Sequence, residues 1–118
     1  MISKEIVNRV LSAVDHDELI ELTTDLVRIN SVWDPVAGSS EQQAAEHLAR
    51  WAEKKGFHVQ MDQVAPGRPN VVVTWEAGPG PRKLMFEGHT DVVTPGDVNS
   101  WTYDPFGAEI KDGRMYGR

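Results

Sequence analysis

The stretch LMFEGHTDVV, residues 84–93, decides the predicted fold and the predicted site, because an apolar run typical of a central strand is followed there by two titratable side chains. The run KLMFEGH, residues 83–89, is more continuously apolar than its surroundings, which is typical of a central strand covered on both faces. His89 and Asp91 then follow, one residue apart. Open α/β sheets form their ligand crevices at the carboxyl ends of such strands, so the sequence predicts a functional site here.

Hydrophobic periodicity predicts three helices ahead of the first strand. Residues 3–14 and 17–29 place apolar side chains at helical spacing. The segment EQQAAEHLARWAEKKG, residues 41–56, continues this period until its last residue, a glycine, ends the helix. Ser40, with a glutamine three residues later, resembles a capping box at the start of this third helix.

The sequence period changes after the third helix. FHVQMDQV, residues 57–64, alternates apolar and polar side chains as a half-buried edge strand does. NVVVTW, residues 70–75, favours a central strand, and AEIKDGRMYG, residues 108–117, predicts a hairpin that turns at Asp112 and Gly113. Helices followed by strands on short links predict an α/β domain with helices packed on a mixed sheet.

The overall composition limits the classes of protein to which this chain can belong. The 118 residues include 25% charged and 40% hydrophobic residues, have a net charge of -6 and contain no cysteine. Lys and Arg are scattered and form no basic stripe, so the sequence does not predict nucleic-acid binding. Because the chain has no cysteine, any metal site must use His, Asp and Glu. Early charges at Lys4, Glu5 and Arg9 interrupt any signal-peptide core, and no apolar run approaches a membrane span. We therefore expect a soluble, cytoplasmic protein with neither a nucleic-acid nor a membrane partner.

The His-x-Asp pair at residues 89 and 91 has the chemistry of a metal site. A metal-bound imidazole needs its second ring nitrogen held by an acceptor, commonly a carboxylate. Asp91 lies on the same side as His89 if the extended backbone continues past the strand. The pair therefore predicts that His89 binds a metal and Asp91 orients it, although a satisfied strand-end histidine without a metal stays the alternative.

The other histidines carry weaker signals. His16 stands at a helix start, where Asp15 or Asp17 is the expected N-cap and the imidazole is solvated. His47 is predicted on an exposed helical face, and His58 on the polar side of an edge strand. We expect none of the three to bind a metal.

The long loop from Asp91 to Phe106 is rich in Pro, Gly, Asn and Asp, with aromatic residues interleaved. A loop of this length is usually functional. Its aromatic side chains either line a substrate cleft, or Pro105 and Phe106 anchor the loop onto the core. The sequence leaves both interpretations open.

The longer motifs resemble a known family. GHTDVV after an apolar strand, followed by WTYDPFGAEIKDGRMYGR, is similar to the dinuclear zinc aminoacylase and carboxypeptidase family, which includes acetylornithine deacetylase, succinyl-diaminopimelate desuccinylase and carboxypeptidase G. LTTDLVRINSV and EQQAAEHLARWAEKKGF are similar to the opening of that family. The resemblance covers nearly the whole chain. It implies that His89 is a metal ligand and that Asp91 is the aspartate classed as catalytic because it orients that imidazole.

The resemblance also implies what lies outside the chain. Residues 1–118 would be the N-terminal portion of a zinc-peptidase-like catalytic domain, into which the family inserts a smaller lid or dimerisation domain. The bridging aspartate of the family, its general-base glutamate, further carboxylate ligands and a second histidine are not in these residues. We therefore expect a second polypeptide that carries them, produced by cleavage of a precursor after Arg118. A truncated or split gene product and a proteolytic nick are the alternatives.

The function implied is hydrolysis of a carbon–nitrogen bond by a metal-activated water, in a deacylase or peptidase of small N-acyl amino acids or peptides. The expected cofactor is one or two divalent ions, zinc first, with manganese or cobalt as alternatives. An oligomer acting on a small-molecule substrate is expected. An aminohydrolase that displaces an amine from a non-peptide, for example aromatic, substrate is a variant of this function. A non-catalytic α/β interaction module is the rival from another class.

Overall fold

The computed structural model describes residues 3–80 and 82–118 of the chain. Three helices precede two antiparallel hairpins, which gives a mixed α/β architecture as predicted. The elements are α1 (Lys4–Ser12), α2 (His16–Arg28), α3 (Gln42–Lys54), β1 (His58–Ala65), β2 (Arg68–Thr74), a 3-10 turn (Val98–Ser100), β3 (Glu109–Lys111) and β4 (Arg114–Tyr116). Among these described residues, no helix combines the length and apolar character needed to cross a membrane.

Local capping sets where the helices begin. Asp15 is the N-cap of α2, and its Oδ1 accepts a hydrogen bond from the Glu18 N–H at 3.0 Å, as one of the two predicted caps. The predicted capping box of α3 is not formed. The helix begins one residue later than expected, with Glu41 in the N-cap position, and the Ser40 hydroxyl accepts from the Gln42 N–H at 3.4 Å. The Glu41 side chain is unavailable as a cap because it is engaged elsewhere.

The core lies between α3 and the first hairpin. β1 and β2 pair antiparallel, with Val59 opposite Val73 and Met61 opposite Val71. The face of α3 that packs on this hairpin is built from four buried alanines, Ala44, Ala45, Ala49 and Ala52. Small side chains allow close approach of a helix to a sheet, so the hairpin turn that follows β1 is brought up to the start of α3.

The predicted central strand at residues 83–89 is wrong for this structure. These residues form no strand, and Leu84, Met85 and Phe86 are 81%, 80% and 87% exposed. A central strand needs a hydrogen-bonded neighbour on each side. Among the described residues, no strand lies beside residues 83–89. The prediction of a central strand at residues 70–75 is likewise wrong, since β2 pairs only with β1 among the described residues and most of its side chains are exposed.

The second hairpin, β3 and β4, is confirmed at the predicted turn. Asp112 and Gly113 have φ angles of +52° and +72°, the backbone of a two-residue turn that Asp-Gly adopts readily. The residues that follow β4 hold the long loop in place. The Arg118 N–H donates to the Pro105 carbonyl at 2.6 Å, and its Nε donates to the Val93 carbonyl at 2.9 Å.

Candidate metal centre

His89 and Asp91 meet in the structure even though the strand before them does not form. His89 Nδ1 lies 3.1 Å from Asp91 Oδ1 and 3.0 Å from the Asp91 carbonyl oxygen. Both neighbours are acceptors, so the ring donates from Nδ1 and carries its proton there. This tautomer leaves the Nε2 lone pair available to bind a metal.

The pair lies on the surface of the described structure. The His89 side chain is 83% exposed and that of Asp91 is 49% exposed, so the imidazole is not packed into the protein. Within residues 3–80 and 82–118, no three His, Asp or Glu side chains converge to form a metal cage. The described residues therefore bring together one imidazole and one carboxylate, and a tetrahedral zinc site would need further ligands.

A short parallel contact fixes the backbone directly after Asp91. Val92 forms a bridge with Val32, and its N–H donates to the Ser31 carbonyl at 3.4 Å. Ser31 is only 3% exposed, so this contact is made against a buried part of the loop between α2 and α3. The position of Asp91 is thus tied to a loop about sixty residues earlier in the chain.

An ion pair between Arg68, at the start of β2, and the buried Glu41, at the end of this loop, was missed by sequence reasoning. Arg68 donates from Nε to Glu41 Oε1 at 2.6 Å, with its Nη2 2.5 Å from the same oxygen. Glu41 is 5% exposed, and the guanidinium carbon of Arg68 lies 5.1 Å from the centre of the Trp33 ring. The hydrogen bond to Glu41 is the main cause that raises the pKa of Arg68, and the negative charge of Asp91 adds to it. No local sequence signal could have paired residues 27 positions apart.

The remaining histidines divide into two kinds. His16 and His58 are exposed, as predicted. The prediction of an exposed His47 is wrong, because α2 lies beside α3 and brings Asp25 to 3.4 Å from its Nε2, leaving the imidazole 26% exposed. This pair has no third acidic neighbour that would make it a metal cluster within the described part of the chain.

The long loop is anchored onto the core, one of the two roles left open by its sequence, and some of its aromatic residues also line an open groove. Pro105 is buried and accepts the hydrogen bond from Arg118, which anchors the loop. Residues 100–103 also face residues 115–117 across an open groove of about 630 Å³. Tyr103 and Tyr116 contact each other in this groove, with ring centres 4.7 Å apart and planes inclined by 43°.

Comparison with known proteins bears on the family of this chain. The model of the peptidase family M20/M25/M40 matches residues 85–118, the stretch that carries His89 and Asp91. Succinyl-diaminopimelate desuccinylase 2 of Ruegeria sp. (strain TM1040) is 45% identical over 100 residues, which are 84% of this chain and 24% of that protein. The succinyl-diaminopimelate desuccinylase of Methylocella silvestris is 41% identical over 103 residues, 84% of this chain and 25% of that protein.

A third relative, an uncharacterized metallohydrolase of Methanococcus maripaludis, is 35% identical over 113 residues, 86% of this chain and 27% of that protein. The chain thus spans about a quarter of the length of these curated relatives. The family match and these identities together support the peptidase family M20/M25/M40 for this chain.

Proposed function

We propose that this chain is the N-terminal part of a metal-dependent hydrolase that cleaves a carbon–nitrogen bond in a small N-acyl amino acid or peptide. The observation that carries the proposal is the His89–Asp91 contact, which leaves Nε2 free on an exposed imidazole. The family match and the metallohydrolase relative support metal dependence, and the desuccinylase relatives support removal of an acyl group from an amine.

Each residue of the pair has a distinct part in this function. A bound divalent metal, for which zinc is the first choice and manganese or cobalt the alternatives, would supply Lewis acidity toward the scissile group and a more acidic water. His89 would hold it through Nε2. Asp91 accepts a hydrogen bond from the His89 Nδ1–H, which keeps the ring in the ligating tautomer and restricts its rotation.

In our proposal, the other metal ligands and the general base come from outside residues 1–118. A second polypeptide, or the rest of a longer chain, would supply the further ligands and the general base. The exposed apolar side chains at residues 84–86 support this, because they offer a surface that a further part of the domain would cover. We also propose that the assembly is an oligomer acting on a small-molecule substrate. A cytoplasmic location is proposed on the cysteine-free composition.

Metal content of the native protein tests the proposal. His89→Ala should lower bound metal and hydrolysis of N-acyl amino acids together, because one ligand is lost. His58→Ala, which removes an exposed histidine from β1, is the matched control and should change neither. Metal is measured by elemental mass spectrometry after gel filtration. Full metal retention in His89→Ala would contradict the ligand role of His89, whereas native wild-type protein that holds no metal would favour the non-catalytic module.

Intact mass spectrometry under denaturing conditions tests the origin of the missing groups. A second chain, or one chain several times heavier than 13.2 kDa, is expected in native material that binds metal. Active, metal-loaded protein consisting of the 13.2 kDa species alone would contradict this part of the proposal.

A further inference from the structure

We propose that Arg118 is a positioning residue for Asp91. It joins the two ends of the loop that follows Asp91, through hydrogen bonds to the Val93 and Pro105 carbonyls, and thereby fixes the backbone that carries the orienting carboxylate. The effect on metal binding rests on the function proposed above, whereas the effect on the backbone of Asp91 does not.

The first step is that a single residue closes the loop. Arg118 donates from its backbone N–H to the Pro105 carbonyl at 2.6 Å and from its Nε to the Val93 carbonyl at 2.9 Å. Residues 94–104 lie between these two acceptors. Because a flexible loop gains conformational entropy when its ends separate, the two hydrogen bonds together restrict where Val93 can lie.

The second step is that the chain around Arg118 is held against α2. A Cβ on Gly117 would collide with Val27, so the residue after β4 lies in close contact with this helix. Arg28, at the end of α2, donates from Nε to the Gly107 carbonyl at 3.4 Å. The hydrogen bonds of Arg118 therefore connect the loop to a helix.

The third step joins this loop to the contact between His89 and Asp91 through one peptide unit. The Asp91 carbonyl oxygen lies 3.0 Å from His89 Nδ1, and the Val92 N–H of the same unit donates to the Ser31 carbonyl at 3.4 Å. A peptide unit is planar, so its carbonyl and its N–H turn together. Rotation of this unit would therefore move both acceptors of Asp91 relative to the imidazole.

Arg118 makes the shorter of the two hydrogen bonds that restrain this segment. The 3.4 Å separation at Val92 exceeds the usual N–H···O range of about 2.7–3.2 Å, so that bond is weak. The 2.9 Å bond from Arg118 to the Val93 carbonyl lies within this range. Loss of the Arg118 donor would leave residues 91–93 held mainly by the weaker contact, and Asp91 would orient the imidazole less firmly.

Two substitutions of similar length separate this hydrogen bond from the rest of the side chain. In Arg118→Gln the amide nitrogen takes the place of Nε and keeps an N–H donor without the charge. In Arg118→Met a methyl group takes that place, so the donor is lost while the apolar stem remains. Both variants keep the backbone N–H that donates to Pro105. Arg114→Met, at an exposed arginine on β4, is the control for loss of an arginine.

Hydrogen–deuterium exchange of the native protein in its metal-free form measures the backbone of residues 91–94, with α3 as the internal reference. Arg118→Met should speed exchange in residues 91–94 about 5- to 20-fold and leave α3 unchanged, because local opening becomes easier without global unfolding. Arg118→Gln and Arg114→Met should both stay within about 2-fold of wild type.

Chelator competition on the same proteins gives the metal dissociation constant. Arg118→Met should raise this constant about 3- to 10-fold, less than the change of a direct partner of the ligand. Arg118→Gln should restore it to near the wild-type value, because the donor to Val93 is kept. Arg114→Met should leave it unchanged.

A role in overall stability alone predicts a different pattern. Arg118→Met and Arg118→Gln would then speed exchange alike in residues 91–94 and in α3, and that result would overturn the inference, as would unchanged exchange in Arg118→Met. Unchanged metal affinity in an Arg118→Met protein with faster exchange in residues 91–94 would also overturn it, provided that metal binding still depends on His89.

Failure of the proposed metal role gives a separate result. His89→Ala would then keep its metal, while Arg118→Met would still speed exchange in residues 91–94 alone. The metal role would be overturned and the positioning of the Asp91 backbone by Arg118 would stand, so the two failures are distinguishable.

Discussion

At the scale of single residues, the proposed chemistry depends on the contact between His89 and Asp91. Two residues separated by a single position can form it locally, because the Asp91 carboxylate and carbonyl both reach Nδ1 without help from a sheet. The other ring nitrogen of this exposed imidazole is then the one that could bind an incoming group. In our proposal the pair is one part of a metal site, since no complete metal cage is found among the described residues.

Substitution of Asp91 should separate orientation from ligation. In Asp91→Asn the size of the side chain is kept and its charge is lost, so the imidazole is held less firmly. Metal affinity or turnover should fall about 10- to 100-fold, the usual effect of changing a carboxylate that orients a ligating histidine. Asp62→Asn, at an exposed position on β1, is the control. Values within a few-fold of wild type in Asp91→Asn would mean that the orienting role is wrong.

Gly117 is a residue whose smallness matters. A Cβ at this position would collide with Val27 Cγ1 and lie 3.2 Å from the Pro105 carbonyl oxygen. Gly117→Ala should lower the free energy of unfolding by about 1–3 kcal/mol, the usual cost of overpacking. Denaturant unfolding of the native protein measures it. Gly80→Ala, with open space around the added methyl, should be nearly neutral, and Val27→Ala should recover part of the loss.

At the scale of elements, helix starts are set by short-range polar contacts and helix faces by burial. α2 begins where Asp15 caps it, and α3 buries a stripe of alanines against the first hairpin. The start of α3 departs from its predicted capping box, since the Ser40 hydroxyl accepts from Gln42 and Glu41 takes the N-cap position. The Glu41 side chain does not cap the helix and contacts Arg68, a partner distant along the chain.

The cap of α2 gives a prediction at this scale. Asp15→Ala should lower the free energy of unfolding by about 1 kcal/mol, since the Glu18 N–H loses its acceptor. Asp17→Ala, two residues further and inside the first turn, should cost only a few tenths of a kcal/mol through the helix dipole. Urea unfolding of both variants at the same pH makes the comparison. Equal losses would show that charge, and not the cap, stabilises this end of α2.

At the scale of the whole molecule, the main unfavourable feature of the surface is the exposed apolar run at residues 84–86. Three consecutive large apolar side chains are each at least 80% exposed. Covering one such side chain is worth about 1.5–3 kcal/mol, so burial of the run would stabilise a larger assembly. Our proposal that a further part of the domain covers residues 84–86 would account for the apolar character that predicted a central strand.

Phe86 tests whether that burial exists in the native protein. If the run is covered there, Phe86→Ala should lower the free energy of unfolding by about 3–5 kcal/mol. Val36→Ala, at a loop residue that is 97% exposed, is the control and should stay within about 0.5 kcal/mol. Denaturant unfolding of the native material measures both. A neutral Phe86→Ala would mean that the segment stays exposed in the native protein.

Local patterns determined much of this protein. Helical periodicity, the Asp15 cap, the Asp-Gly turn and the spacing of His89 and Asp91 each act within a few residues, so the sequence predicts them by itself. Tertiary structure alone decided the contacts of Glu41 with Arg68 and of His47 with Asp25, and left residues 83–89 without a partner strand. The physical reason is that ion pairs and sheet neighbours join positions distant along the chain, and the pattern around either position does not encode which partner folding brings to it.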